Sequence, residues 1–194
     1  MKKLWNTYRN LFRRTVKFIT DAPDEWKKIA EEHPIHRECM TDIFLPMLVF
    51  EIIAAIITIL FQESFVEIEK IVFQSISIVL RTVGGYYFVT YLAYRWIEYF
   101  FPSTYLRDDC EKVIAYGFMI LMLVDTLVLI TGNMLILYIL YIGIAYEFLY
   151  AFRWVIDCND RLRFPTMAIF TIMTIAIPNF LRLLFKILLP KAPI

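Results

Sequence analysis

Cysteine and histidine are scarce in this 194-residue chain, with three of the first and two of the second. Cys39, Cys110 and Cys158 are odd in number and widely spaced, which argues against the disulfide framework of a small secreted domain. His33, His36 and Cys39 recur at three-residue intervals in EEHPIHREC and are metal-ligand types. No CxxC or HExxH anchors them, and Pro34 interrupts the helix that would align the histidines. They are weak metal candidates, and no metal or other cofactor is expected. Phosphate-binding glycine loops, Ser/His/Asp orders and glycine-rich nucleotide fingerprints are also missing, so an enzyme is the least supported class. The first twenty residues lack the uninterrupted apolar core of a cleavable signal peptide.

What fills the chain instead is apolar. Hydrophobic residues make up 60% and aromatic residues 17%, and the mean hydropathy is +0.61. A soluble domain of this length seldom tolerates such values, so the chain reads as an all-α, polytopic integral membrane protein. Five apolar stretches of spanning length follow one another: 43–61, 71–94, 113–131, 135–156 and 166–189. At about 1.5 Å per helical residue each reaches across most or all of a hydrocarbon core of about 30 Å. Residues 1–41 form a separate amino-terminal part, and 42–194 a transmembrane domain. Between the third and fourth spans only a few residues around Gly132 and Asn133 intervene, which predicts a tight antiparallel hairpin.

The second stretch, IVFQSISIVLRTVGGYYFVTYLAY, carries Arg81 near its middle. An unpaired guanidinium facing lipid is costly, so the other spans are expected to wrap around this one. Its Gly84-Gly85 pair permits either close approach of a neighbour or a bend. Counting depth from the cytoplasmic end of each span places Glu51 and Glu147 about 12–14 Å in and Asp125 about 18 Å in, with Arg81 at a height similar to that of Asp125. The expected pair is Arg81 with Asp125, with Glu51 and Glu147 close to the same pocket. Three acids against one arginine leave a negative surplus that calls for protonation, water or a cation. Such a cluster serves either as glue between helices or as a path for protons, cations or lipid headgroups.

Nine of the twenty basic residues precede Asp42. Adding those of alternate loops puts the amino terminus in the cytoplasm and the carboxyl terminus outside. From Leu4 to Ile19 apolar residues recur at steps of three and four, among them Trp5 and Phe12, while Arg9, Arg13, Arg14 and Lys17 mostly fall between them. This amphipathic helix suits either the headgroup layer of an anionic leaflet or the protein's own cytoplasmic face. A second, short surface helix is expected after it, capped by Thr20 or Asp21, with Pro23 in its first turn. The lipid bilayer and anionic headgroups are thus the expected partners, together with other proteins or a second copy of the chain. No nucleic-acid partner is expected.

A cytoplasmic helix, the stretch APDEWKKIAEE with Pro23 and Trp26, and five closely set spans resemble bacterial members of the Yip family of Ypt/Rab-interacting membrane proteins. Asp42-Ile43-Phe44-Leu45-Pro46 is similar to the Asp-Leu-x-Gly-Pro signature of the eukaryotic branch, keeping the acid and Pro46 and replacing the glycine. VIAYGFMIL resembles a family stretch in the third span, with Ala115 and Tyr116 matching and the following proline missing. The resemblance runs from about Phe18 to Leu189. It implies a polytopic, non-enzymatic protein with a cytosolic amino terminus that organises membrane and protein partners, placed here in a bacterial inner membrane. The GTPase partners of eukaryotic members do not follow from fold alone.

Overall fold

The structure is a computed structural model that describes residues 2–31, 39–62, 68–100, 107–156 and 159–188. All regular structure among them is helical. Helix α1 spans Lys2–Glu31, a π-helical segment Cys39–Phe44 runs directly into α2 (Leu45–Gln62), and α3 (Ile68–Phe100), α4 (Arg107–Thr131), α5 (Met134–Trp154) and α6 (Asp160–Leu188) follow. Four runs, Cys39–Phe61, Ile68–Phe100, Asp108–Thr131 and Asp160–Leu188, are long and apolar enough to cross a membrane.

The helices overrun the boundaries drawn from hydropathy. At 33 residues, α3 is about 50 Å long and carries Arg95 and Glu98 beyond its apolar run. Helix α6 begins six residues before 166, because Asn159 receives the backbone N–H groups of Leu162 and Arg163 on its carbonyl and that of Arg161 on its side chain. The division between residues 41 and 42 falls inside the π-helical segment. Within α1, Asp21 leaves the helical region (φ −156, ψ 64) two residues before Pro23, so α1 is two helices joined at a break. Gly132, at φ +64, turns the chain between α4 and α5, and Asn133 caps α5 by accepting the N–H of Leu135.

The helix at the centre is α4, not the one that carries Arg81. It packs on α2, α3, α5, α6 and the π-helical segment, and every residue from Cys110 to Met119 is buried. The physical reason is its composition: from Val113 to Val124 it is apolar all round, which suits a helix enclosed by others, whereas α3 has an exposed side at Tyr87, Phe88 and Tyr91. Glycine lets the neighbours close in. A Cβ on Gly117 would stand 2.5 Å from the ring of Phe148 on α5, and one on Gly85 would stand 2.9 Å from Pro178 on α6. Of the two roles open to the Gly84-Gly85 pair, close approach is the one seen.

Candidate functional site

Two buried polar clusters tie the bundle together. In the middle of the spans, Arg81 on α3 bonds the carboxylate of Glu51 on α2 through Nη2, and the same nitrogen lies 2.9 Å from Asp125 Oδ2 on α4. The Glu51 side chain is 0% exposed, that of Arg81 9% and that of Asp125 18%. Taking one of these charges out of water is costly, and three helices offset the cost by meeting at one guanidinium. Arg182 on α6 lies within electrostatic reach of all three. The ion pairs of this cluster set two acids against Arg81, and Glu147, the third acid, is not among them.

Glu147 belongs elsewhere. Its Oε2 accepts the indole N–H of Trp26 at 2.7 Å, and both side chains are buried. Depth along α5 placed this glutamate with the other intramembrane charges, but its partner comes from α1. A buried indole needs an acceptor for its one N–H, and Glu147, seven residues before the end of α5, supplies it about 10 Å along that helix.

Trp26 anchors a larger junction. Its ring meets Phe18 at 5.3 Å and Tyr116 at 5.6 Å, and Phe18 meets Tyr116 at 5.3 Å. Arg14 donates to the Tyr116 hydroxyl. Arg14 and Lys17 lie 3.8 and 3.6 Å from the buried carboxylate of Glu25 across the break in α1. Lys112 on α4 reaches the carbonyl of Ile29 at 3.3 Å while contacting Asp109 at the same distance. Of the six residues read as a membrane-surface set, Arg14 and Lys17 thus turn partly inward. Arg9, Phe12 and Arg13 remain exposed, and the side chain of Trp5 lies outside the described residues.

The remaining sequence candidates scatter. Pro23 is half-buried at the break in α1, Pro46 is buried at the start of α2, and Asp42 is exposed with its carboxylate receiving the Thr41 hydroxyl. Cys39 is buried; His33 and His36 lie outside the described residues. Among the described residues no three His, Cys, Asp or Glu side chains group as metal ligands. Sequence reasoning missed Glu25, Lys112 and Tyr116 as parts of one junction. One signal was available: Glu111 and Lys112 are charges set directly against the apolar run of α4, where a partner has to be found.

An all-helical chain with four helices able to cross a bilayer is the class these observations define. No family model, curated protein or solved structure matches the chain.

Proposed function

We propose that this is a non-enzymatic, Yip-like membrane protein of five spans, α5 being the fourth in order, that organises membrane and protein partners through its cytoplasmic face. Its amino terminus is cytoplasmic and its carboxyl terminus outside, in a bacterial inner membrane. The observation that carries the reading is the two-sided character of α1. One side, with Leu11, Thr15, Phe18 and Trp26, is buried against the bundle, while Phe12 is 73% and Val16 42% exposed beside Arg9 and Arg13.

The level of that exposed edge supports a lipid contact. Thr15 meets Met119 on α4, its hydroxyl 3.9 Å from the sulfur, and Met119 lies six residues, about 9 Å, beyond Val113 where the apolar run of α4 begins. An amphipathic helix held in the interface buries its apolar side about 5–10 Å below the headgroups. Phe12 and Val16 then meet acyl chains, and Arg9 and Arg13 meet anionic phosphates.

Depth measurement tests this. A nitroxide on Val16→Cys, in proteoliposomes of the full chain, is expected to collide more with oxygen than with a water-soluble nickel chelate. The bias is expected to grow with the anionic lipid fraction and to shrink in Arg9→Glu/Arg13→Glu. A spin label open to water at every lipid composition would overturn the proposal.

The other reading, a small transporter or channel for protons, cations or lipid headgroups, draws on one observation. Oε2 of Glu51 is buried without a hydrogen-bond partner among the described residues. That reading requires Asp125→Asn to abolish flux in proteoliposomes while the protein still folds. The closed pairing of Arg81 with two carboxylates favours a structural role for the cluster instead.

A further inference from the structure

On the side of the bundle where α3 meets α4, a cleft of about 210 Å³ is lined by Tyr86, Thr90, Tyr91, Tyr94 and Arg95 from α3 and Glu111 from α4. Two of its oxygens are anomalous. The hydroxyls of Tyr86 and Thr90 are buried, their residues 1% and 6% exposed, and neither has a hydrogen-bond partner among the described residues. A buried hydroxyl is nearly always bonded, because leaving it unmade forfeits the water it has lost. Two of them on one turn of one helix, in the wall of one cleft, point to a ligand that supplies the missing partners.

The surroundings define its chemistry. Glu111, 3% exposed, places a carboxylate in the cleft, and the tyrosine rings offer π faces to a cation. At the rim stands Arg95, exposed, its guanidinium 5.6 Å over the Tyr91 ring and bonded to Glu98 at 3.0 Å. One bond to Glu98 leaves guanidinium donors for a phosphate. An anion alone would meet the Glu111 carboxylate, and a cation alone would leave Arg95 unused. A zwitterion satisfies both, ammonium inward and phosphate at the rim.

The two hydroxyls choose the kind of ammonium. A primary ammonium carries three N–H donors, which the oxygens of Tyr86, Thr90 and Glu111 can receive, whereas a quaternary ammonium has none. The cleft also sits at headgroup height, since Glu111 comes two residues before the apolar run of α4 and Arg95 follows that of α3. Tyr91, 56% exposed, opens it toward lipid. We infer that this cleft binds the phosphoethanolamine headgroup of a phospholipid from the cytoplasmic leaflet. The site is separate from the exposed edge of α1 and stands whether or not that edge touches a membrane.

Lipid titration of the detergent-purified full chain, followed by native mass spectrometry, tests the assignment with phosphatidylethanolamine, phosphatidylcholine, phosphatidylglycerol and free phosphoethanolamine. The phosphatidylethanolamine is expected to bind about tenfold more tightly than either other lipid, the worth of one or two hydrogen bonds. Tyr86→Phe/Thr90→Val is expected to remove that preference while the lipid-free protein keeps or raises its Tm, because only orphan hydroxyls are lost. Equal binding of the three lipids, or a preference that survives in the double variant, would overturn the site. Free phosphoethanolamine bound as tightly as the lipid would replace the lipid by a soluble ligand and overturn the assignment in that way.

Discussion

At the middle of the bundle Arg81 gathers two carboxylates from two other helices, while toward the end where α1 docks Glu147 takes a single indole N–H from α1. Both clusters join residues far apart in sequence, by 30 positions for Glu51 and Arg81 and by 121 for Trp26 and Glu147. They differ in what holds them. The first is ionic, and each member loses its reason to be buried if Arg81 goes. The second is one neutral donor on one acceptor inside an aromatic packing that persists without it. The ionic cluster should therefore fail abruptly and the aromatic junction by degrees.

Arg81→Met is the harshest way to break that contrast. It leaves Glu51 and Asp125 buried without their cation and is expected to cost about 3–5 kcal/mol in reversible unfolding in mixed detergent micelles. Adding Glu51→Met and Asp125→Leu is expected to restore most of the loss, because an apolar set replaces a broken ionic one. No recovery in the triple variant would mean that the cluster does more than hold helices.

Next in size comes Trp26. Removing the acceptor with Glu147→Leu leaves the indole N–H unmade and is expected to cost about 1–3 kcal/mol. Glu147→Gln keeps a carbonyl that can accept the same N–H, and its cost is expected to stay within about 1 kcal/mol. If both substitutions cost the same, the carboxylate charge matters more than the hydrogen bond, and the contrast between the clusters fades. Gly117→Ala presses on the junction from beneath, where the new methyl meets Phe148 beside Tyr116 and Glu147. A loss of about 1–3 kcal/mol is expected by thermal unfolding, with Tyr116 fluorescence changing before the global transition. Smallest of all on stability is Phe12→Ser, within about 0.5 kcal/mol for an exposed position, though lipid contact at α1 should weaken.

The sequence made the first cluster legible and left the second hidden, for a geometric reason. Residues on neighbouring spans share an axis, so 1.5 Å per residue converts position into height, and Arg81 and Asp125 match. Trp26 lies on a helix whose height above or within the bilayer no count provides. Its indole reaches into the bundle because Phe18, Tyr116 and Ile29 bury around it, and that docking is a tertiary fact. The hairpin turn at Gly132 was readable from its two polar residues. The central place of α4 was readable in principle from a stretch apolar on every side, but a buried arginine elsewhere is a stronger eye-catcher than an even composition. Helix ends were the least legible, since caps such as Asn159 extend a helix past the point where hydropathy stops.

Trp26 locks the amino-terminal helices into the bundle and leaves Phe12 and Val16 exposed. Amide hydrogen exchange of residues 22–29, in nanodiscs, measures that lock directly. Protection approaching that of α4 is expected in the wild type, and a partial loss in Glu147→Leu, about 10- to 100-fold faster exchange, while α4 stays protected. Fast exchange of these residues in the wild type would contradict it, because a helix that merely rests on the surface has no reason to be slow.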